Sequence, residues 1–129
     1  MIYNLTRRTI LAMRPLEAVS FFQRLRGMCF RHFASCDFDA LIFDRCSDIH
    51  TMWMLERIDV VFIDCDNVVC GMREEMAPWR MAFGGRKARR TIELPAGTIA
   101  ASGTQVGDVL DYQCETTSIC HPATPVISQ

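Results

Sequence analysis

Ile58-Asp59-Val60-Val61-Phe62-Ile63-Asp64-Cys65-Asp66-Asn67-Val68-Val69-Cys70-Gly71-Met72 is the stretch whose reading decides the fold. Its first half is β-branched and apolar on both faces, the pattern of a strand buried between two layers. Cys65-Asp66-Asn67 then supplies turn chemistry, because Asp and Asn side chains bond nearby backbone N–H groups and Asn tolerates a left-handed backbone. Residues 68–72 run back as a second apolar segment. The stretch therefore predicts a β-hairpin at the centre of a sheet.

Further strands lie on both sides of this hairpin. Ala40-Leu41-Ile42-Phe43 reads as a short buried strand, and residues 49–54 as another, with Met52, Trp53 and Met54 as bulky packing groups. Residues 88–94 alternate, with Ile92 and Leu94 on one face and Thr91 and Glu93 on the other, which predicts a half-buried strand stopped by Pro95. Residues 81–86, around Gly84-Gly85, read as a loop. Residues 1–12 can supply a first strand before Pro15, and 106–110 a tight turn leading into a last one. Two helical segments interrupt the series. Leu16, Val19, Phe22 and Leu25 form one helical stripe, with Pro15 before it and Gly27 after it, and Thr98-Ile99-Ala100-Ala101 makes one turn closed by Gly103. The expected fold class is mainly β (β-rich α+β), an antiparallel sandwich or barrel with one or two short helices. Residues 1–114 are expected to form a single β-rich domain, and 115–129, with Thr, Ser and two prolines, a flexible tail.

Composition excludes several classes. In 129 residues, 14 Lys+Arg oppose 15 Asp+Glu, so a net charge of −1 creates no field that would draw the whole molecule to nucleic acid or an anionic membrane. Nucleic acid is not an expected partner. The longest apolar runs are a few residues, against the ~20 needed for a membrane-spanning helix. Thr6-Arg7-Arg8-Thr9-Ile10-Leu11 has the start of a twin-arginine export signal, but Arg14, Pro15 and Glu17 interrupt the apolar segment that must follow. A cytoplasmic location is the expectation. The seven cysteines (Cys29, Cys36, Cys46, Cys65, Cys70, Cys114 and Cys120) are odd in number and form no close CxxC pair. They read as small buried hydrophobes, although Cys65 and Cys70 flank the hairpin turn and could approach one another.

The blocks Arg24-Leu25-Arg26-Gly27-Met28, Cys46-Ser47-Asp48-Ile49-His50-Thr51-Met52-Trp53-Met54, residues 58–64, Ala77-Pro78-Trp79-Arg80, Glu93-Leu94-Pro95-Ala96-Gly97 and Val106-Gly107-Asp108 occur in one order. In that order they resemble the bacterial and archaeal domain-of-unknown-function 192 family, over about residues 24–110. The resemblance implies a jelly-roll-like sandwich or barrel of one domain, with no established activity, substrate or cofactor. Arg57 stands where the family usually has a proline, and Leu55-Glu56 replaces a more basic, apolar pair.

Several residues can carry chemistry. His50 and Asp59 lie near the ends of neighbouring strand candidates and could form a pair that orients a base or binds a metal; alternatively Asp59 fixes a turn and His50 is a packed residue. No Ser or Cys nucleophile is tied to them by spacing, so a hydrolase triad is not supported. His32, His50, His121 and the cysteines, with Cys120-His121 adjacent and Cys114 upstream, match no zinc pattern, and no metal or cofactor is expected. Arg80, Arg86, Lys87, Arg89 and Arg90, near Trp79 and Phe83, could hold phosphate but read more simply as a solvated loop and strand face. Trp53, Met52, Met54 and Trp79 could wall an apolar pocket or belong to the core. Glu93 is either a pocket carboxylate or an ion-pair partner of Arg89 or Arg90. The leading reading is a small ligand-binding or accessory module with a site around His50, Thr51, Trp53, Asp59 and Glu93, taking an unknown small molecule or protein partner. The alternatives are a hydrolase or carbohydrate-active enzyme using His50, Asp59 and Glu93, and a structural partner protein, which an exposed apolar patch without a concave site would signal.

Overall fold

The computed structural model describes residues 1–112. In chain order the elements are β1 (Ile2–Asn4), β2 (Thr9–Ala12), β3 (Pro15–Glu17), α1 (Phe21–Arg26), a 3-10 turn (Phe33–Ser35), β4 (Ala40–Asp44), β5 (Asp48–His50), β6 (Ile58–Ile63), β7 (Val69–Met76), β8 (Met81–Phe83), β9 (Arg90–Pro95), α2 (Thr98–Ser102) and β10 (Leu110–Tyr112). The strands form a five-stranded sheet, β3-β4-β9-β6-β7, a three-stranded sheet, β10-β1-β2, and a small ribbon, β5-β8. None of these closes on itself. The protein is a mainly β sandwich with two short α-helices.

β6 is an interior strand of the large sheet, and all six of its residues are buried. Its turn into β7 is built as its residues dictate: Asp64 Oδ1 accepts from the N–H groups of Asp66 and Val68 at 2.8 and 3.0 Å, and Asn67 has φ 62°. The hairpin is confirmed, but only β6 is interior; β7 forms the sheet edge. Alternation along β6 and β9 then separates two cores. Val61, Ile63, Ile92 and Leu94 pack against Ile2, Leu11, Ala12 and Leu110 of the three-stranded sheet. Ile58, Val60 and Phe62 face the other way, toward Met28, Phe33, Met54, Ala82 and Ala88. β9 is thus buried on both faces, not half-buried. Glycine is required at position 84, where a Cβ would lie 2.5 Å from the Phe62 ring.

Other sequence expectations shift. Residues 1–12 make a two-stranded hairpin, β1 and β2. The helix expected over 16–25 is only Phe21–Arg26: Leu16 and Glu17 belong to β3, and Val19 is 70% exposed. A capping box sets its start, the Ser20 hydroxyl accepting from Gln23 N–H while the Gln23 side chain accepts from Ser20 N–H. β3 pairs parallel to β4, a departure from the all-antiparallel expectation that the intervening residues 18–39 make possible. Pro15 fits there because β3 is an edge strand. The strand expected over 49–54 stops at His50, and Met81–Phe83, expected as loop, pairs with it as β8. Among the described residues no helix is long and apolar enough to cross a membrane. The expected tail and the Cys114, Cys120 and His121 readings lie outside the described residues.

Candidate functional site

β9 places Glu93 between Leu41 of β4 and Val60 of β6, on the face turned away from the three-stranded sheet. Both cross-strand neighbours are apolar, it is 3% exposed, and its Oε2 has no hydrogen-bond partner among the described residues. Burial alone drives its acidity, pushing the pKa from the ordinary 4.5 up to about 8. At neutral pH the side chain is therefore an uncharged carboxylic acid, able to donate as well as accept. It opens into a cavity of about 170 Å³ that Cys29, Phe43, Cys46, Met54 and His50 also line. Arg24 and Arg26 of α1 and Asp48 of β5 complete the wall.

His50 and Glu93 thus border one cavity, His50 from the exposed end of β5. Asp59 does not join them. It is opposite Leu94 in the β6–β9 register, so it points to the other face of the sheet. There it is fully buried, and both oxygens are engaged: Oδ1 accepts from Glu75 N–H and Oδ2 from Ile99 N–H, each at 2.8 Å. Ile99 is in the first turn of α2, whose N-cap is Gly97, so Asp59 supplies from a distance the cap that glycine cannot.

Thr51 is likewise fully buried and organises two loops. Its hydroxyl donates to the Ala77 carbonyl at 2.7 Å and accepts from Arg80 N–H at 2.8 Å. Its carbonyl accepts from Met54 N–H and Trp79 N–H. These bonds set Trp53 and Trp79 side by side, ring centroids 4.8 Å apart, with Phe30 5.8 Å from Trp53. All three aromatics are more than half exposed and have φ near +60°, a strained conformation for bulky residues. Trp53 therefore sits in a surface aromatic cluster and does not line the Glu93 cavity.

The Cys29 thiol bordering the cavity is not an activated nucleophile. Burial pushes the Cys29 thiol up, and the nearby Glu93 adds to the effect. Cys29, Cys46, Cys65 and Cys70 are all free. Among the described residues no group of three or more His, Cys, Asp or Glu could hold a metal ion. Glu93 forms no ion pair with Arg89 or Arg90; Arg90 binds Asp44 Oδ1 at 2.9 Å and Asn67 Oδ1 at 3.0 Å. Cys29, Cys46, Arg24, Arg26 and Asp48 were not expected at a site, since nothing in their spacing shows that α1 and β5 converge over β9. Glu93 was legible as one of two things, a pocket carboxylate or an ion-pair partner, on the polar face of an alternating strand.

The sequence profile described as Uncharacterized ACR (DUF192) matches residues 7–112. A UPF0127 protein of Thermococcus sibiricus (strain DSM 12597 / MM 739) is 31% identical over 121 residues, which is 89% of this chain and 76% of that protein. A UPF0127 protein of Pyrococcus furiosus is 33% identical over 66 residues, 51% of this chain and 56% of the relative. A crystal structure of a protein of unknown function from Novosphingobium aromaticivorans DSM 12444 superposes with a TM-score of 0.67 at 18% identity, covering 78% of this chain and 75% of that one. The fold is shared, and on the match over residues 7–112 the chain belongs to the uncharacterised DUF192 family.

Proposed function

We propose that this protein is a small-ligand-binding module whose site is the cavity floored by Glu93. The observation that carries this is the unpartnered Glu93 Oε2, buried among apolar groups and facing a cavity of about 170 Å³. A buried carboxyl without a partner costs about 1–3 kcal/mol, so a group retained there is best explained by a ligand that completes its hydrogen bonding. The cavity's size suits a compact molecule with a hydroxyl, amide or amine for Glu93 and an apolar edge for Phe43 and Met54. His50 and the α1 arginines stand at the wall to contact its outer groups. The hydrolase reading is weaker, because Asp59 is on the far face of the sheet with both oxygens in use.

Thermal unfolding of wild type and Glu93→Leu at pH 7, alone and with glucose, ribose, acetamide or ethanolamine, tests the proposal. Glu93→Leu alone is expected to raise stability by about 1–2 kcal/mol. At least one probe should raise the wild-type Tm and leave the variant unchanged. A destabilised variant, or no probe that discriminates between the two proteins, would sink the reading.

A further inference from the structure

A second concavity, of about 780 Å³, lies between the start of β3 and the segment after α1. Its apolar lining comes from Met13, Pro15, Leu16, Phe30 and Phe38. Met13 and Phe30 are 59% and 65% exposed, so this lining holds large apolar side chains that the fold leaves in water. The charged lining is unbalanced: Arg14, Arg26 and Arg31 face a single carboxylate, Asp37. None of the three guanidiniums makes an ion pair among the described residues. Neighbouring Asp39 makes no ion pair with them among the described residues; its two oxygens accept from the backbone N–H groups of Met13 and Arg14 at 2.8 and 2.7 Å. Arg31 is held over the Phe38 ring, 5.7 Å from its centroid, which fixes a cation directly on the apolar wall.

We infer that this cleft binds an amphiphilic organic anion, a carboxylate or sulfonate head on an apolar body. The head pairs with Arg14 and Arg31, whose planar donor forks suit such oxyanions, and the body covers Met13, Leu16, Phe30 and Phe38. Apolar burial and charge pairing thus act on one small molecule, in a place separate from the Glu93 cavity except for the shared side chain of Arg26. The inference does not depend on the function proposed for Glu93.

The test uses anilinonaphthalene sulfonate as a fluorescent aromatic anion and decanoate as an aliphatic one. The dye's fluorescence should rise on binding, and decanoate should displace it while decanol and inorganic sulfate do not. Arg14→Gln and Arg31→Gln should each weaken both anions roughly tenfold, and Glu93→Leu should leave them unchanged. Arg26 is left intact because it borders both cavities. Displacement by decanol as good as by decanoate would reduce the cleft to an apolar patch, and displacement by sulfate would reduce it to an anion site. Unchanged affinity in both arginine variants would place the dye elsewhere, such as on the Phe30–Trp53–Trp79 cluster. Tighter competition by a thymidine oligonucleotide would assign the cleft to nucleic acid, and absence of dye or decanoate binding up to about 1 mM would remove the site altogether; each of these five outcomes overturns the inference.

Discussion

Glu93 and Asp59 are both acids on interior strands of one sheet, and a one-residue difference in register gives them opposite chemistry. Asp59 has two backbone donors and holds α2 and the β7 backbone in place. Asp59→Ala should cost about 1–3 kcal/mol, because it leaves the buried Ile99 N–H and the part-buried Glu75 N–H without their acceptor; chemical denaturation measures it, and ligand binding at the Glu93 cavity should survive in the folded fraction. Among the described residues Glu93 has no partner for Oε2, and burial favours its protonated form. Its folded pKa lies above its unfolded value, so the stability linked to its proton is fully present below pH 4.5 and is lost as pH rises through about 8. Between those values the wild type should lose stability relative to Glu93→Gln by roughly 1 kcal/mol per pH unit. Parallel stability-versus-pH curves for the two proteins would refute the assignment.

At the scale of elements, β6 and β9 set the geometry of the Glu93 cavity, since the alternation of β9 turns Glu93 toward the layer made by α1, β5 and the loops. The Phe62 ring occupies that layer against Gly84. Gly84→Ala should destabilise by about 1–3 kcal/mol through overpacking, whereas Gly85→Ser meets no atom within 4 Å and is strained only by its φ of 91°; denaturant midpoints of the two variants separate a steric from a conformational cause. The long apolar segments were legible, because β6 and β9 carry their own pattern whatever packs on them. The short ones were not. β5 ends at His50 because Thr51 bonds across to Ala77 and Arg80, and β8 is a strand only because β5 lies beside it. Helix α1 is capped by Ser20, and its capping box with Gln23 went unread beside an apolar stripe whose first member, Leu16, belongs to β3.

At the scale of the whole molecule, the start of the chain is tied to the loop before β10. Asp108 Oδ2 accepts from the Asn4 side chain at 2.9 Å, Arg7 Nε at 3.1 Å and Gln105 N–H at 2.9 Å. Burial acts to raise the pKa of Asp108, but these bonds outweigh it and hold the carboxyl below the ordinary 3.8. Its contribution is therefore present above pH 3.8 and is lost as pH falls through the lowered folded value. Asp108→Asn should be less stable than wild type at neutral pH and the gap should narrow on acidification; a constant gap down to pH about 2 would show that charge has no part in the closure. What the sequence alone determined is the mainly β class, the β6–β7 hairpin with its turn, the family, and Glu93 as a candidate pocket carboxylate, since these rest on residues adjacent in the chain. Only the tertiary structure decided that His50 shares a cavity with Glu93 and that Asp59 does not. The parity of a strand fixes which residues share a face, but the pairing register between distant strands and the layer packed on each face are set by contacts that local pattern does not encode.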